Sequence, residues 1–279
     1  MNGQPASVDL WVTPTEWCDD PASLTRFEAM CDQEERARLA RYTHPDARLN
    51  FLVARALCRS VLSRYGVFKP EQWSFVDNAY GRPSLAGSQA MGQLRFNLSH
   101  TFGRVVLAVS RGRDVGVDIE DLQRKSRTTQ IAHRFFAPSE VEALKALPRE
   151  AQRERFFTYW TLKEAYIKAR GMGLAIPLAK FAFDVETPGH IQLRTAPELA
   201  DPPERWRFVT GELDGRYPLS VALEVSREEV ARLSLRVGCP GGQWRCTHFH
   251  PTAKSGAVDC VETLGVRLNS ALTPESPKR

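Results

Sequence analysis

The chain has 279 residues, 42% of them hydrophobic, enough to bury a sizeable core as one large domain or two closely packed ones. With 38 Lys and Arg against 33 Asp and Glu, its formal charge of +5 favours an anionic partner, but no long basic run or aromatic stripe marks nucleic acid as the main ligand. No apolar run is long enough to span a membrane, residues Met1 to Pro5 lack the features of a signal peptide, and six irregularly spaced cysteines fit cytosolic thiols, so a cytoplasmic protein is expected.

Val8 to Thr13 alternates and predicts a first strand. Asp20-Pro21-Ala22-Ser23 opens a helical pattern running to about Tyr42, and a second helix spans about Ala47 to Tyr65, stopped at Gly66. A strand near Trp73 to Val76, the turn Asn78 to Pro83, and two strands at Leu94 to Leu98 and Arg104 to Ser110 complete the first half. The second half repeats this order. Gly116 to Glu120 reads as a strand, helices follow at Pro138 to Leu147 and Arg149 to Arg170, and Gly171-Met172-Gly173 stops the longer one. Strands close it near Phe181 to Val185, Trp206 to Val209 and Leu219 to Val225. The matching order predicts an α+β fold of two similar lobes related by a pseudo-twofold, at residues 1–112 and 113–226, with a ligand cleft between them. Beyond residue 227 the pattern weakens into a peripheral, partly mobile extension, 227–279, with a frayed end at Thr273 to Arg279.

Successive strand side chains point to opposite faces, so Asp118 and Glu120 share a face with Ile119 on the other. Glu164, between Lys163 and Lys168 on the helix that follows Trp160, can meet that face from a helix packed across the sheet. Three convergent carboxylates form a hard-oxygen site suited to Mg²⁺, and the lysines suit phosphates. The plain alternatives are a solvated strand end and an i,i+4 surface pair. Ser99-His100 sits at a corner after a strand. Adjacent residues on an extended chain point apart, which argues against a nucleophilic dyad and leaves phosphate binding or a histidine satisfying loop carbonyls. Arg82, in the turn Gly81-Arg82-Pro83, is suited to bidentate phosphate binding, although most turn arginines project into solvent. Arg48, Arg55 and Arg59 share a stripe on the first long helix, where they either snorkel beside the apolar face or reach a phosphate. Cys239, Cys246, His248, His250 and Cys260 lack the paired spacing of a zinc site, and no P-loop or Rossmann glycine pattern is present.

Four segments in order carry a resemblance: Gly81-Arg82-Pro83, Phe96-Asn97-Leu98-Ser99-His100, Gly116-Val117-Asp118-Ile119-Glu120, and Trp160-x-x-Lys163-Glu164-Ala165-Tyr166-x-Lys168 through Gly171-x-Gly173-Leu174. Over roughly residues 8 to 225 the chain resembles the Sfp-type 4′-phosphopantetheinyl transferases, which activate carrier proteins of fatty-acid, polyketide and nonribosomal peptide synthesis. The resemblance implies a monomer of two α+β lobes with coenzyme A between them. It implies that Asp118, Glu120 and Glu164 hold Mg²⁺ against the pyrophosphate and that Lys168 and Lys163 contact phosphates; Glu164 is the candidate general base, directly or through a metal-bound water. Ser99 and His100 would bind the nucleotide phosphates, and Arg82 with Pro83 would border the adenine and 3′-phosphate pocket. Arg55 and Arg48 compete for the arginine of that pocket. Arg38 matches one residue of a basic pair in the preceding helix, while Glu35 stands where a lysine is common. The apo acyl- or peptidyl-carrier partner, an acidic helical protein, would dock on the stretch from about Gln123 to Phe136, made basic by Arg124, Lys125, Arg127 and Arg134. A non-catalytic phosphate-recognition module and a different metal-dependent nucleotide transferase are the rivals.

Overall fold

Alternation decides the first strand. In the computed structural model, which describes residues 6–125, 128–226, 229–247 and 249–260, Ser7–Pro14 forms β1. Val8, Leu10 and Val12 enter one apolar cluster and Trp11 another, as in a strand buried on both faces. Two helices then stand where one is expected, α1 (Pro21–Met30) and α2 (Gln33–Leu39). Cys31 is extended, and Asp32 and Glu35 form a reciprocal capping box that starts a new helix. Helix α3 (Pro45–Leu62) buries Leu52, Leu57 and Val61. A small hairpin, β2 (Phe75–Asp77) and β3 (Pro83–Leu85), leads to the long hairpin β4 (Leu94–Thr101) and β5 (Arg104–Arg111).

The second lobe runs through β6 (Val115–Ile119), α4 (Thr128–Phe135), α5 (Pro138–Ala146) and α6 (Arg149–Arg170). Strands β7 (Phe181–Asp184), β8 (Gly189–His190), β9 (Gln192–Thr195), β10 (Trp206–Leu213) and β11 (Tyr217–Glu224) complete it. Both lobes therefore read strand, three helices, a short strand pair and a long antiparallel hairpin. In each, the first strand pairs antiparallel with the last, β1 with β5 and β6 with β11. The α+β fold of two similar lobes stands as expected.

The chain beyond residue 227 is a correction. Strands β12 (Ala231–Gly238), β13 (Trp244–Thr247), β14 (Pro251–Lys254) and β15 (Val258–Cys260) are built into both sheets. Strand β12 runs parallel to β1, giving the order β13-β12-β1-β5-β4, and β14 joins the second sheet as β6-β11-β10-β14-β8. The physical reason is that Ala231, Leu233 and Leu235 are apolar on one face and cover the edge that β1 would otherwise expose. Residues 231–247 and 249–260 are thus structural rather than peripheral, while Thr273 to Arg279 lie outside the described residues.

The inner faces of the two sheets share one cluster, in which Leu10, Val106 and Leu233 meet Val117, Val221 and Leu223. Helix α3 covers the outer face of the first sheet and α6 that of the second. At the junction, β4 lies beside β6 without a regular ladder. Asn97 Oδ1 accepts from Val117 N–H at 2.9 Å, and Ser99 Oγ accepts from Ile119 N–H at 3.4 Å. Among the described residues no helix is long and apolar enough to cross a membrane.

Candidate active site

One glycine brings the site together. Val115, Val117 and Ile119 enter the core between the sheets, so Gly116, Asp118 and Glu120 turn toward α6. A Cβ on Gly116 would lie 2.0 Å from Ala165 O and 2.5 Å from Ala169 N, so only glycine lets the helix backbone approach this strand so closely. Lys168, one residue before Ala169, then reaches the strand. Its Nζ donates to Asp118 Oδ1 at 2.6 Å, to Ser99 Oγ at 3.0 Å and to Val117 O at 3.3 Å. Ser99 also donates to Asp118 Oδ1, at 2.8 Å, so one carboxylate oxygen ties together β4, β6 and α6. Asp118 Oδ2 is buried without a partner.

Glu164 lies one turn before Lys168 and has no hydrogen-bond partner among the described residues. Burial, then repulsion from Asp118, pushes its carboxyl up to about 7 against the pull of Lys168, with Glu120 adding further repulsion. Glu120 is also raised, by burial and Asp118, although Arg124 grips both its oxygens at 2.8 and 2.9 Å. The three expected carboxylates therefore feel one another across β6 and α6. Among the described residues they do not stand in ready-made coordination geometry. Their donor chemistry still fits a hard divalent cation, with mutually repelling carboxylates and one buried oxygen lacking a donor.

Ser99 and His100 point apart, as adjacent strand residues must. Ser99 faces β6, whereas His100 is solvent-accessible on the side toward α3. Partial desolvation, then the charges of Lys168 and Arg55, hold its ring below the usual histidine range, so it is neutral near pH 7. Arg55 and Arg38 flank Phe51, with guanidinium carbons 5.6 and 5.2 Å from the ring centroid. Glu35 stands 3.8 Å from Arg55, and the buried Arg55 Nε has no partner. Arg48 is corrected: it pairs with Glu28 at 2.6 Å, so of the two competing arginines only Arg55 joins His100. Arg59, from the same stripe, is fully buried on Asp32 and Glu35.

Lys163 is the second correction. Its side chain is 0% exposed and donates to Glu140 at 2.7 Å, to Leu178 O at 2.8 Å and to Phe181 O at 2.7 Å. Three donors meet three oxygens, while Glu140 accepts from Ala137 N–H and Phe183 N–H, the pattern of an ammonium–carboxylate pair. Burial opposes both charges, lowering Lys163 and raising Glu140. With every proton used inside the lobe, Lys163 contacts no cleft ligand. Arg82 also turns inward, donating to Ala169 O at 2.8 Å and Asp114 at 3.1 Å. With Asn78 donating to Gly171 O at 2.7 Å, it clamps the β2–β3 turn to the end of α6. Arg82 and Pro83 nonetheless line a groove of about 330 Å³ with Leu85, Phe96 and Asp114.

On the basic stretch, Arg124 is engaged by Glu120, Lys125 is exposed, and exposed Arg134 stacks 5.2 Å from the Phe135 ring; Arg127 lies outside the described residues. In the tail, His248 also lies outside them, and Cys239, Cys246, His250 and Cys260 form no metal-ready group among those described. Sequence reasoning missed Glu140, the Arg124–Glu120 pair and the role of Gly116. A glycine inside an apolar strand is itself a sign of close backbone approach.

Residues 15–112 match the family model described as "4'-phosphopantetheinyl transferase, N-terminal", and residues 114–222 match "4'-phosphopantetheinyl transferase superfamily". The chain is 38% identical to the 4'-phosphopantetheinyl transferase HetI of Nostoc sp. over 191 residues, 68% of this chain and 79% of that one. It is 30% identical to the 4'-phosphopantetheinyl transferase Sfp of Bacillus subtilis over 196 residues, 70% of this chain and 83% of that one. With the L-aminoadipate-semialdehyde dehydrogenase-phosphopantetheinyl transferase of Xenopus laevis it shares 27% identity over 219 residues, 74% of this chain and 72% of that one. This chain is an enzyme of the 4′-phosphopantetheinyl transferase family.

Proposed function

We propose that the enzyme transfers the 4′-phosphopantetheine group of coenzyme A to a serine of an apo acyl- or peptidyl-carrier protein. The observation that carries this reading is the meeting of Asp118, Glu120, Glu164 and Lys168 where β4 of one lobe touches β6 of the other. In the reaction the serine oxygen bonds to the β-phosphorus of coenzyme A, the bond from that phosphorus to the bridging oxygen breaks, and 3′,5′-adenosine bisphosphate leaves. Asp118, Glu120 and Glu164 would hold Mg²⁺, which when bound offsets pyrophosphate charge and polarises the phosphoryl centre.

The remaining work belongs to the side chains. Lys168, already poised over Asp118, neutralises charge building on the leaving group. Glu164, with a carboxyl near neutrality, takes the proton from the serine hydroxyl. His100, neutral but capable of donating one N–H, binds a phosphate oxygen, while Ser99, whose hydroxyl proton is held by Asp118, fixes that carboxylate beside Lys168. Arg55, with its free buried Nε, and Arg38 receive the 3′-phosphate, and the groove along Arg82 and Pro83 takes the adenine. The carrier, an acidic helical protein, meets exposed Lys125, Arg134 and Phe135. One chain supplies both sides of this cleft, in keeping with a monomer.

The test is to incubate the enzyme with apo-carrier, coenzyme A and Mg²⁺ and to weigh the carrier. A gain of one phosphopantetheinyl group is expected, and it should disappear when the metal is chelated. An unchanged carrier mass across fatty-acid, polyketide and peptide-type carriers would overturn the proposal. A mere binding module would leave the mass unchanged while retaining coenzyme A.

A further inference from the structure

Lys168 and Arg124 both bring positive charge to the acidic site, in different ways. Lys168 engages a single oxygen of Asp118. Arg124 instead places one nitrogen astride Glu120, with Nη1 at 2.8 Å from Oε1 and 2.9 Å from Oε2. That is the position a cation gripped by both oxygens of the carboxylate must take. Glu120 is 8% exposed, whereas 56% of the Arg124 side chain is open to solvent. The acid is fixed in the junction and the guanidinium reaches it from outside.

The backbone beneath Arg124 is pinned. Arg216 grips both oxygens of Asp121 at 2.8 and 2.7 Å, and Gln123 N–H donates to Asp121 Oδ1 at 2.9 Å. Arg124 N–H closes the turn by donating to Asp121 O at 3.0 Å. From α6, Arg153 donates to Leu122 O at 2.6 Å and also to Arg124 O. The freedom to leave therefore belongs to the side chain. Leaving costs little, because an ion pair with a half-exposed partner is worth about fivefold in an equilibrium constant or less. A divalent cation drawn by three carboxylates is able to displace it.

We propose, taking this cleft as the site of carrier-directed transfer, that Arg124 is a placeholder cation on Glu120 which the divalent metal displaces, and that the acidic carrier draws the same guanidinium outward. Arg124 neighbours exposed Lys125 in the stretch the carrier is expected to meet, so a released guanidinium adds to that basic surface. With the carrier absent, metal binding leaves the guanidinium in water. With the carrier docked, the guanidinium gains a carboxylate as it leaves Glu120. Metal and carrier thus favour each other, by the same factor in both directions. Arg124 is a positioning residue, acting on the reaction through Glu120.

The test follows Mn²⁺, a spin-active cation that shares the oxygen preference of Mg²⁺, by electron paramagnetic resonance on the full chain at pH 8 without coenzyme A. Arg124→Ala should bind Mn²⁺ about 3–10-fold more tightly than the parent, whereas Lys125→Ala, which removes the neighbouring exposed charge, should stay within about twofold. An apo-carrier whose acceptor serine is replaced by alanine should tighten Mn²⁺ binding to the parent by about 3–10-fold and leave Arg124→Ala within about twofold. Equal or weaker binding in Arg124→Ala would make the guanidinium a mere support for Glu120 and overturn the proposal. An equal gain in Lys125→Ala, or parental binding that ignores the carrier, would overturn it as well. If Mn²⁺ binding is lost in Asp118→Asn, the carboxylate site stands whatever Arg124 does. If the parent and Arg124→Ala both bind no Mn²⁺, the placeholder and the metal site fall together.

Discussion

Replacing Lys163 with methionine separates a structural lysine from a phosphate-binding one. Methionine retains the unbranched bulk of the aliphatic stem and removes the ammonium. That leaves the Glu140 carboxylate, 1% exposed, with only the Ala137 and Phe183 N–H groups, and leaves Leu178 O and Phe181 O without their donor. Breaking a buried pair from one side costs about 3–5 kcal/mol, because the surviving charge is uncompensated. At roughly 2–4 °C per kcal/mol for a protein of this size, Lys163→Met should lower Tm by about 6–20 °C. Lys163→Met/Glu140→Gln should recover a large part of that loss, since the amide removes the stranded charge and can still accept a backbone hydrogen bond. Thermal unfolding followed by circular dichroism measures the first effect. Turnover and the KM for coenzyme A, measured well below the variant's Tm, should stay within about threefold of parental, because a side chain acting only through fold stability leaves transition-state binding nearly untouched. A Lys163→Met protein that melts with the parent but loses turnover or coenzyme A affinity would refute the inward assignment.

The other predictions concern the cleft itself. Gly116→Ala should destabilise the fold at or above the upper end of the usual overpacking range of about 1–3 kcal/mol, seen as a lower Tm, because the added methyl meets the α6 backbone rather than a yielding side chain. Asp118→Asn should preserve the circular dichroism spectrum and lower kcat at least ~100-fold, since several kcal/mol of metal-borne charge stabilisation would be lost. Divalent-cation binding, followed by calorimetry without substrate, should strengthen as pH rises from 6 to 8. Protonated Glu164 competes with the cation below about 7 and the carboxylate is free to bind above it, so a pH-independent affinity would contradict its place in the site. Arg55→Ala should raise the KM for coenzyme A by about 10–100-fold, the equivalent of roughly 1.5–3 kcal/mol for a charged hydrogen bond, whereas Arg48→Ala should leave it unchanged.

How much of this was legible in the sequence depended on how local each determinant is. The period of two placed Asp118 and Glu120 together, and the four-residue spacing placed Glu164 beside Lys168. Both follow from backbone geometry alone. Lys163 carried a local signal that points away from the cleft: its helical neighbours at four-residue spacing, Tyr159 and Ile167, are both apolar and buried, whereas Glu164 and Lys168 lie on a different stripe. The capping box of Asp32 and Glu35 was likewise written in the sequence, and it divides one expected helix into two. What remained hidden was nonlocal. The alternation of Ala231, Leu233 and Leu235 marks a strand, but nothing near it shows that the strand returns to pair in parallel with β1. The choice between Arg48 and Arg55 turned on Glu28, contributed by another helix.

The pseudo-twofold raises the question of why only the second lobe provides the acidic half of the site. Strand β1 also carries a carboxylate toward its covering helix, Asp9, yet both its oxygens are engaged. Oδ1 accepts from Ser234 and, at 2.9 Å, from Arg236, and Oδ2 accepts from the Tyr65 hydroxyl at 2.5 Å. Despite burial, these partners hold Asp9 below the usual carboxylate range, and two of the three are supplied by β12. Among the described residues, strand β6 has no equivalent of β12. Its free edge meets β4, whose Ser99 occupies only one oxygen of Asp118 and leaves the other open. The returning C-terminal strand therefore does more than cover an edge. By engaging the acid of the first lobe, it leaves the junction beside β6 as the place where a buried carboxylate oxygen still lacks a partner.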